Sequence, residues 1–218
     1  MLDYAQARRL MVDCQLRTFD VNDVAVLDAF DAVPRERFVP PGSEPFAYID
    51  RTLPLGGRDD DVRYLPASML LARMIQALKI GSGVRVLDVG TGYGYAAALM
   101  ARLGGRVTAL EAVPALADAA RARVDGARVD VIEGPLIAGA PGAGPFDAIL
   151  VNGRVEVRPQ ALLDQLKDAG RLACVFGRDR AAKATLFVRA GDAFGARPLF
   201  DASLPALSEF REEAGFAF

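Results

Sequence analysis

The sequence predicts an α/β fold, a doubly wound and mostly parallel sheet with a helical N-terminal segment and a late antiparallel hairpin. Three observations carry that expectation. Short β-branched apolar runs alternate with amphipathic stretches between residues 84 and 176, the pattern of strands joined by crossover helices. The first of these runs ends in the glycine-rich turn Gly90-Thr91-Gly92-Tyr93-Gly94, and sheets of this kind bind ligands beyond the carboxyl ends of their strands. A chain of 218 residues that is 52% hydrophobic can bury one substantial core.

The elements follow in order. The first segment reads as helical because Tyr4, Ala7, Met11 and Cys14 recur at helical spacing. A second helix is expected from about Asp23 to Ala32, with Val24, Leu27 and Phe30 on one side, until Pro34, Pro40 and Pro41 break the pattern. Residues 45–66, rich in Gly, Pro and Asp, read as loop. Ser68 is placed to cap a helix running to Leu78 with Met69, Ala72, Ile75 and Leu78 as its apolar stripe. Strands are expected at 84–89, 106–111, 128–133, 146–151 and 171–176, with helices at 93–103, 114–123 and near 159–168. Residues 183–190 and 196–200 read as two late strands able to pair as a hairpin.

Composition excludes several chemistries. Charged residues make up 25% and the net charge is −2, so the basic footprint of a nucleic-acid partner is absent. No apolar run approaches the ~20 residues needed to span a bilayer, and the N-terminal stretch lacks the apolar region of a signal peptide; no membrane partner is expected. Cys14 and Cys174, with no CxxC pair, read as reduced, buried thiols of a cytoplasmic protein. The chain contains no histidine, which removes Ser-His and Cys-His nucleophiles, His-ligated zinc and proximal-His haem.

The glycine turn is the most informative stretch. Glycines leaving a strand let the backbone turn sharply and approach a ligand, and the following helix start offers N–H groups to a negative group. Glu111 ends the next strand, 21 residues after Gly90, where a carboxylate can accept both hydroxyls of a ribose. Three readings fit. The plainest is a tight strand–helix turn with no ligand. A dinucleotide would need GxGxxG or GxGxxA, which fails from Gly90 because Tyr95 stands last, and fits only in the later frame Gly92, Gly94, Ala97. S-adenosylmethionine carries an ammonium and a sulfonium, and the acidic Asp88 immediately before the turn suits those cations. The full pattern Asp-x-Gly-x-Gly-x-Gly favours this third reading.

Beyond the turn, the segments "VPRERFVP" (33–40), "YIDRTLPLG" (48–56), "VRVLDVGTGYGYAAALMARL" (84–103), "PFDAILVNG" (145–153) and "ALLDQLKDAGRLACVFG" (161–177) resemble, in order, those of the protein-L-isoaspartate O-methyltransferases. The resemblance implies a single methyltransferase domain over 1–218, with a helical and loop cap carrying the acceptor loop over 1–66 and a Rossmann-like core over 67–218. It implies S-adenosyl-L-methionine as cofactor and a protein or peptide carboxylate, isoaspartyl above all, as acceptor. Gly90, Thr91 and Gly92 match the loop that holds the methionine part of the cofactor, and Glu111 matches the ribose carboxylate. Glu133-Gly134-Pro135-Leu136 falls where the family has Gly-Asp-Gly, whose Asp accepts the adenine amino group. Pro135 offers neither carboxylate nor N–H, which leaves Glu133 as the substitute.

The acceptor loop departs most. The family reads Thr-Ile-Ser-Gln-Pro; an ungapped count back from Val86 and Leu87 puts its Thr at Tyr64, its Ser at Pro66 and its Pro at Ser68. The missing serine keeps two other readings open, a different small-molecule or protein acceptor and a cofactor-binding protein without turnover. Arg63, Tyr64 and Ser68 are the candidates for holding an anionic acceptor. The competing readings are a surface side chain for Arg63, half-buried packing for Tyr64 and a helix cap for Ser68. About four extra residues precede Arg63, roughly the run Asp59, Asp60 and Asp61. Consecutive Asp residues point to opposite sides of an extended segment and lack the spacing of a calcium loop, so they read as a solvated loop edge, with no metal. No catalytic residue is expected, because a carboxylate acceptor with a pKa near ~4 is ionised without a base.

Overall fold

The computed structural model describes residues 3–58, 61–125 and 128–212; Asp59 and Asp60 lie outside them. Seven strands form the main sheet: β3 (Arg85–Val89), β4 (Arg106–Glu111), β5 (Val129–Glu133), β6 (Phe146–Val155), β7 (Leu166–Phe176), β8 (Lys183–Ala190) and β9 (Ala193–Asp201). Their order is β5-β4-β3-β6-β7-β8-β9. The first five are parallel, and β7, β8 and β9 form an antiparallel meander. The winding reverses at β3, which has β4 on one side and β6 on the other. The carboxyl ends of these three strands therefore open onto one crevice.

Alternation along the strands divides the core into two layers. Val86 and Ala148 share a cluster with Leu27 and Phe30 of α2 (Val24–Ala32), Leu71 and Ile75 of α3 (Ser68–Leu78), and Leu99 and Met100 of α4 (Tyr95–Arg102). Leu87, Val89, Ile149 and Val151 point the other way. They pack with Leu162 and Leu163 of α6 (Gln160–Leu163) and with Leu207 and Phe210 of the C-terminal segment. The helix α5 (Pro114–Arg121) joins β4 to β5.

The N-terminal helices are keyed into the first layer. α1 (Tyr4–Met11) is capped by the Asp3 carboxylate, and α2 by that of Asp23, which accepts from the N–H groups of Ala25 and Val26. Phe30 stands edge-on to Tyr95 with ring centroids 6.0 Å apart, and Phe38 lies 5.4 Å from the same ring. The fully buried Arg35 donates to the carbonyls of Ala47 and Pro66, both at 2.7 Å, and its guanidinium lies 5.0 Å from the Tyr95 ring. Burial pulls the Arg35 pKa down. Tyr95 opens α4, so the residue following the glycine turn is also the anchor of the N-terminal segment.

Several local expectations are corrected. Residues 53–58 and 61–65 are not loop but the two antiparallel strands of a hairpin, β1 (Leu53–Arg58) and β2 (Asp61–Leu65). Gly57, paired with Val62, permits the close approach of the two strands: at φ +152°, a Cβ there would stand 2.3 Å from the Asp61 carbonyl oxygen. Ser68 does not cap α3; it is the first helical residue, and Ala67 takes the cap position without a side-chain bond. Cys14 is exposed, because a π-helical turn over Val12–Leu16 carries more residues than an α-turn and brings Leu16 inward instead. Val24, at the first position of α2, is 65% exposed. The stripe of α3 is wider than predicted, with Leu70, Leu71 and Met74 also buried, whereas Met69 is only partly so. The helix expected near 159–168 shrinks to one turn, since β7 begins at Leu166.

Because Phe30 is wholly buried at the junction of the N-terminal helices and α4, Phe30→Ala should cost about 3–5 kcal/mol in urea-monitored unfolding. A loss below about 1 kcal/mol would show that the N-terminal helices are not part of the cooperative core.

Candidate functional site

The crevice is built from the ends of β3, β4 and β6 and roofed by the β1–β2 hairpin and residues 204–210. At the end of β3, Asp88 is fully buried. Its carboxylate accepts from Thr91 Oγ1 and from Asn152 Nδ2, both at 2.6 Å. Burial raises the Asp88 pKa to about 6, and these two donors pull in the opposite direction. Asn152 lies near the end of β6, and its Oδ1 is buried without a partner. Beside the turn there is thus a carboxylate next to an unused acceptor, the donor-poor chemistry that suits a cationic ligand group.

Four N–H groups of the glycine turn, those of Gly90, Thr91, Gly92 and Gly94, are already engaged. Gly90 and Thr91 donate to the Leu110 carbonyl at 2.9 and 3.2 Å, Gly94 to that of Thr91 at 2.9 Å, and Gly92 to Glu111 Oε2 at 2.9 Å. The turn is fastened to the end of β4. Gly92 has φ +56°, and a Cβ there would stand 2.5 Å from Leu55 Cδ1 of the hairpin. A side chain at this position would meet strain and collision together.

Glu111 is fully buried at the end of β4. Its Oε1 accepts from the N–H groups of Ala112 and Val113 at 2.9 and 3.1 Å and from Arg63 Nε at 3.0 Å. Arg63 is only 1% exposed, which corrects its reading as a surface side chain. Desolvation lowers its pKa, but Asp61 and Glu111 outweigh that and leave it raised. Asp61 is not a solvated loop edge. It grips the guanidinium with both oxygens, at 2.6 and 3.1 Å, and accepts from Ser208 Oγ at 2.7 Å. Burial pushes the Asp61 pKa up, and Arg63 and Ser208 more than offset this, so it lies below its ordinary value.

Asp88, Gly90, Thr91, Gly92 and Glu111 are therefore brought together, and Arg63 joins them. Gly134 donates to the Glu111 carbonyl at 3.1 Å and Leu136 is buried nearby, whereas Pro135 is exposed. Glu133 does not turn into the crevice: it is exposed and paired with Arg121 at 2.9 Å. Tyr64 is half-buried opposite Pro54 in the hairpin. Ser68 is buried with an unpartnered hydroxyl. The residues missed from the sequence are Leu55, Asn152, Leu207, Ser208 and Glu209. Glu209 accepts from the N–H groups of Leu136 and Ile137 at 3.0 and 3.2 Å. Asn152 had a readable signal, a polar residue near the end of a buried strand; Leu55 and the three C-terminal residues had none.

A doubly wound sheet with a glycine turn, a buried acid before it and a carboxylate ending the next strand defines a protein that binds a nucleoside-bearing cofactor at its switch point. Comparison narrows the class. The family model for protein-L-isoaspartate(D-aspartate) O-methyltransferase matches residues 6–197. A protein-L-isoaspartate O-methyltransferase of Methylorubrum extorquens (strain PA1) is 47% identical over 178 residues, 80% of this chain and 76% of that protein. One from Bradyrhizobium sp. (strain BTAi1 / ATCC BAA-1182) is 34% identical over 214 residues, 96% of this chain and 98% of that protein. The chain belongs to the protein-L-isoaspartate(D-aspartate) O-methyltransferase family. Two solved structures share the fold. A protein-L-isoaspartate O-methyltransferase has a TM-score of 0.80 at 24% identity, covering 91% of this chain and 65% of that one. A Plasmodium falciparum homologue of that description, in complex with S-adenosyl-L-homocysteine, has a TM-score of 0.76 at 20% identity, covering 93% and 98%.

Asp88 supplies a pH test. Its folded pKa is raised, so the stability it contributes is fully present below its unfolded value and is lost as pH rises through about 6. Relative to Asp88→Asn, the native chain should lose on the order of 3 kcal/mol between about pH 4 and pH 6, at ~1.4 kcal/mol per pKa unit. Parallel stability curves for the two proteins would show that Asp88 is not held in this environment.

Proposed function

We propose that this chain transfers the methyl group of S-adenosyl-L-methionine to the carboxylate of an L-isoaspartyl residue in a protein or peptide, acting as one domain in the cytoplasm. Family membership supports the activity. The observation that carries the site assignment is Glu111, a buried carboxylate aimed by the Gly92 N–H across the crevice mouth. In this reading Glu111 takes the ribose hydroxyls. Asp88 and the unpartnered Asn152 Oδ1 would face the cationic amino-acid end along Gly90, Thr91 and Gly92. The adenine end lies at Gly134, Pro135 and Leu136, with Glu209 as the nearby carboxylate in place of Glu133. The residues present fit the cofactor except at Glu111, where Arg63 already donates to Oε1.

When bound, the cofactor supplies an electrophilic methyl on a sulfonium. The acceptor carboxylate, with a pKa near ~4, attacks as the anion it already is, so no residue has to remove a proton. That agrees with a chain without histidine. What the protein contributes is alignment, for which ~7–11 kcal/mol is available in favourable cases, and exclusion of water by Leu55 and Leu207 at the roof. Arg63, Tyr64 and the unpartnered Ser68 hydroxyl lie on or beside the hairpin that would meet the acceptor. Pro66 in the place of the family's serine favours a second reading, a different carboxylate acceptor on the same cofactor site.

Incubation with labelled cofactor and an isoaspartyl peptide should yield a base-labile methyl ester, with none on the ordinary aspartyl peptide. Cofactor binding without that ester would move the assignment to the second reading. Glu111→Gln should weaken S-adenosylhomocysteine binding tenfold to a hundredfold, as expected for hydrogen bonds to a charged group worth about 1.5–3 kcal/mol; an affinity within about threefold of the native value would show that the ribose sits elsewhere.

A further inference from the structure

The exception concerns which donors Glu111 already holds. A carboxylate offers about four lone-pair sites. Oε1 accepts from Ala112, Val113 and Arg63, and Oε2 from Gly92. One ribose hydroxyl can take the open position on Oε2, but the other can reach Oε1 only in exchange for the Arg63 guanidinium, the third donor there. Ala112 and Val113 follow Glu111 directly and Gly92 belongs to the glycine turn, so these three donors are backbone N–H groups fixed by the fold. Arg63 is the one side-chain donor of the four, and it is the one that can leave.

We propose that Arg63 occupies the seat of the cofactor's ribose and must withdraw from Glu111 before the cofactor binds, so that the β1–β2 hairpin is a built-in competitor for the cofactor site. The proposal rests on the ribose placement above. Four observations support it. Arg63 is buried against Glu111 rather than extended toward an acceptor. Asp61, two residues earlier in β2, holds the guanidinium by a second ion pair, so the cation keeps a partner when Glu111 is given up. Ser208 ties Asp61 to the C-terminal segment. Leu55 of the same hairpin lies over Gly92, and Leu207 crowds Gly153, where a Cβ would stand 2.5 Å from Leu207 Cγ. Cation, apolar side chain and C-terminal tie thus close the crevice together. Arg63 and the acceptor candidates Tyr64 and Ser68 are nearly continuous in sequence, so withdrawal of Arg63 moves the proposed acceptor loop as well. The expected order is therefore cofactor before acceptor.

The test is calorimetric titration of S-adenosylhomocysteine into the full-length chain and its variants. A competitor in the seat reduces apparent affinity by the fraction of molecules that are open. Arg63→Met keeps the bulk and removes the cation; it should tighten binding by roughly tenfold or more. Ser208→Ala leaves the cation in place and loosens its tie, and should tighten binding by roughly twofold to threefold. A merely structural arginine would give unchanged or weaker affinity in both variants, and that result overturns the proposal. If Arg63→Met fails to fold, Ser208→Ala and Leu55→Ala decide it by the same criterion. Absence of binding in the native chain and every variant would remove the ribose placement itself, an outcome distinct from equal binding in all of them, which removes only the competition.

Discussion

The buried carboxylate of Glu111 gathers donors from three separate parts of the chain: the glycine turn through Gly92, the start of the β4–α5 connection through Ala112 and Val113, and the hairpin through Arg63. A carboxylate with no exposure is expensive to bury unless its lone pairs are met. Here backbone N–H groups meet most of them, and they come from segments whose own geometry the contact then fixes. The turn keeps its shape because Gly92 donates to Glu111 while Gly90 and Thr91 donate to Leu110. The hairpin reaches the crevice because its cation has a carboxylate to go to. Much of the crevice is arranged around this one side chain.

A methyl transfer to a carboxylate asks little of side-chain acid–base chemistry, and the distribution of titratable groups in the crevice fits that demand. Asp88 is held by two donors and pushed upward by burial, Asp61 is pulled downward by Arg63 and Ser208, and no imidazole is available anywhere in the chain. The charges serve to bind and orient. The helical N-terminal segment contributes at a distance: Arg35 joins the Ala47 carbonyl to that of Pro66 at the foot of the hairpin, and Tyr95 receives Phe30 and Phe38 at the start of α4. The hairpin's lower end and the glycine turn are thereby braced on the same group of side chains.

The layered architecture was legible because its signal is periodic and local. The runs at 84–89 and 106–111 are β-branched and short, and the glycine turn follows the first of them directly. Asp88 and Glu111 were legible for the same reason, each having a fixed position relative to that turn. What escaped were features set by tertiary contact. The π-turn that exposes Cys14 depends on which residue the core accepts, Leu16 rather than its neighbour. The strands at 53–65 pair with each other, and an Asp-rich connection hides that pairing from a composition reading. Arg63 looks like a surface cation in sequence because its partner lies 48 residues away. Ser208 and Glu209 belong to a C-terminal segment with no motif, and tertiary contacts bring it to the crevice, among them hydrogen bonds along β6 from Arg154 to Pro205 and from Leu207 back to Arg154.

The most direct measurement is a crystal structure of the chain with S-adenosylhomocysteine bound, read at a single place. The account predicts both ribose hydroxyls on the Glu111 carboxylate and the Arg63 guanidinium withdrawn beyond about 4 Å, the limit of an ion pair, while still held by Asp61. A ribose bound elsewhere, with Arg63 Nε remaining at its 3.0 Å distance from Glu111, would contradict it.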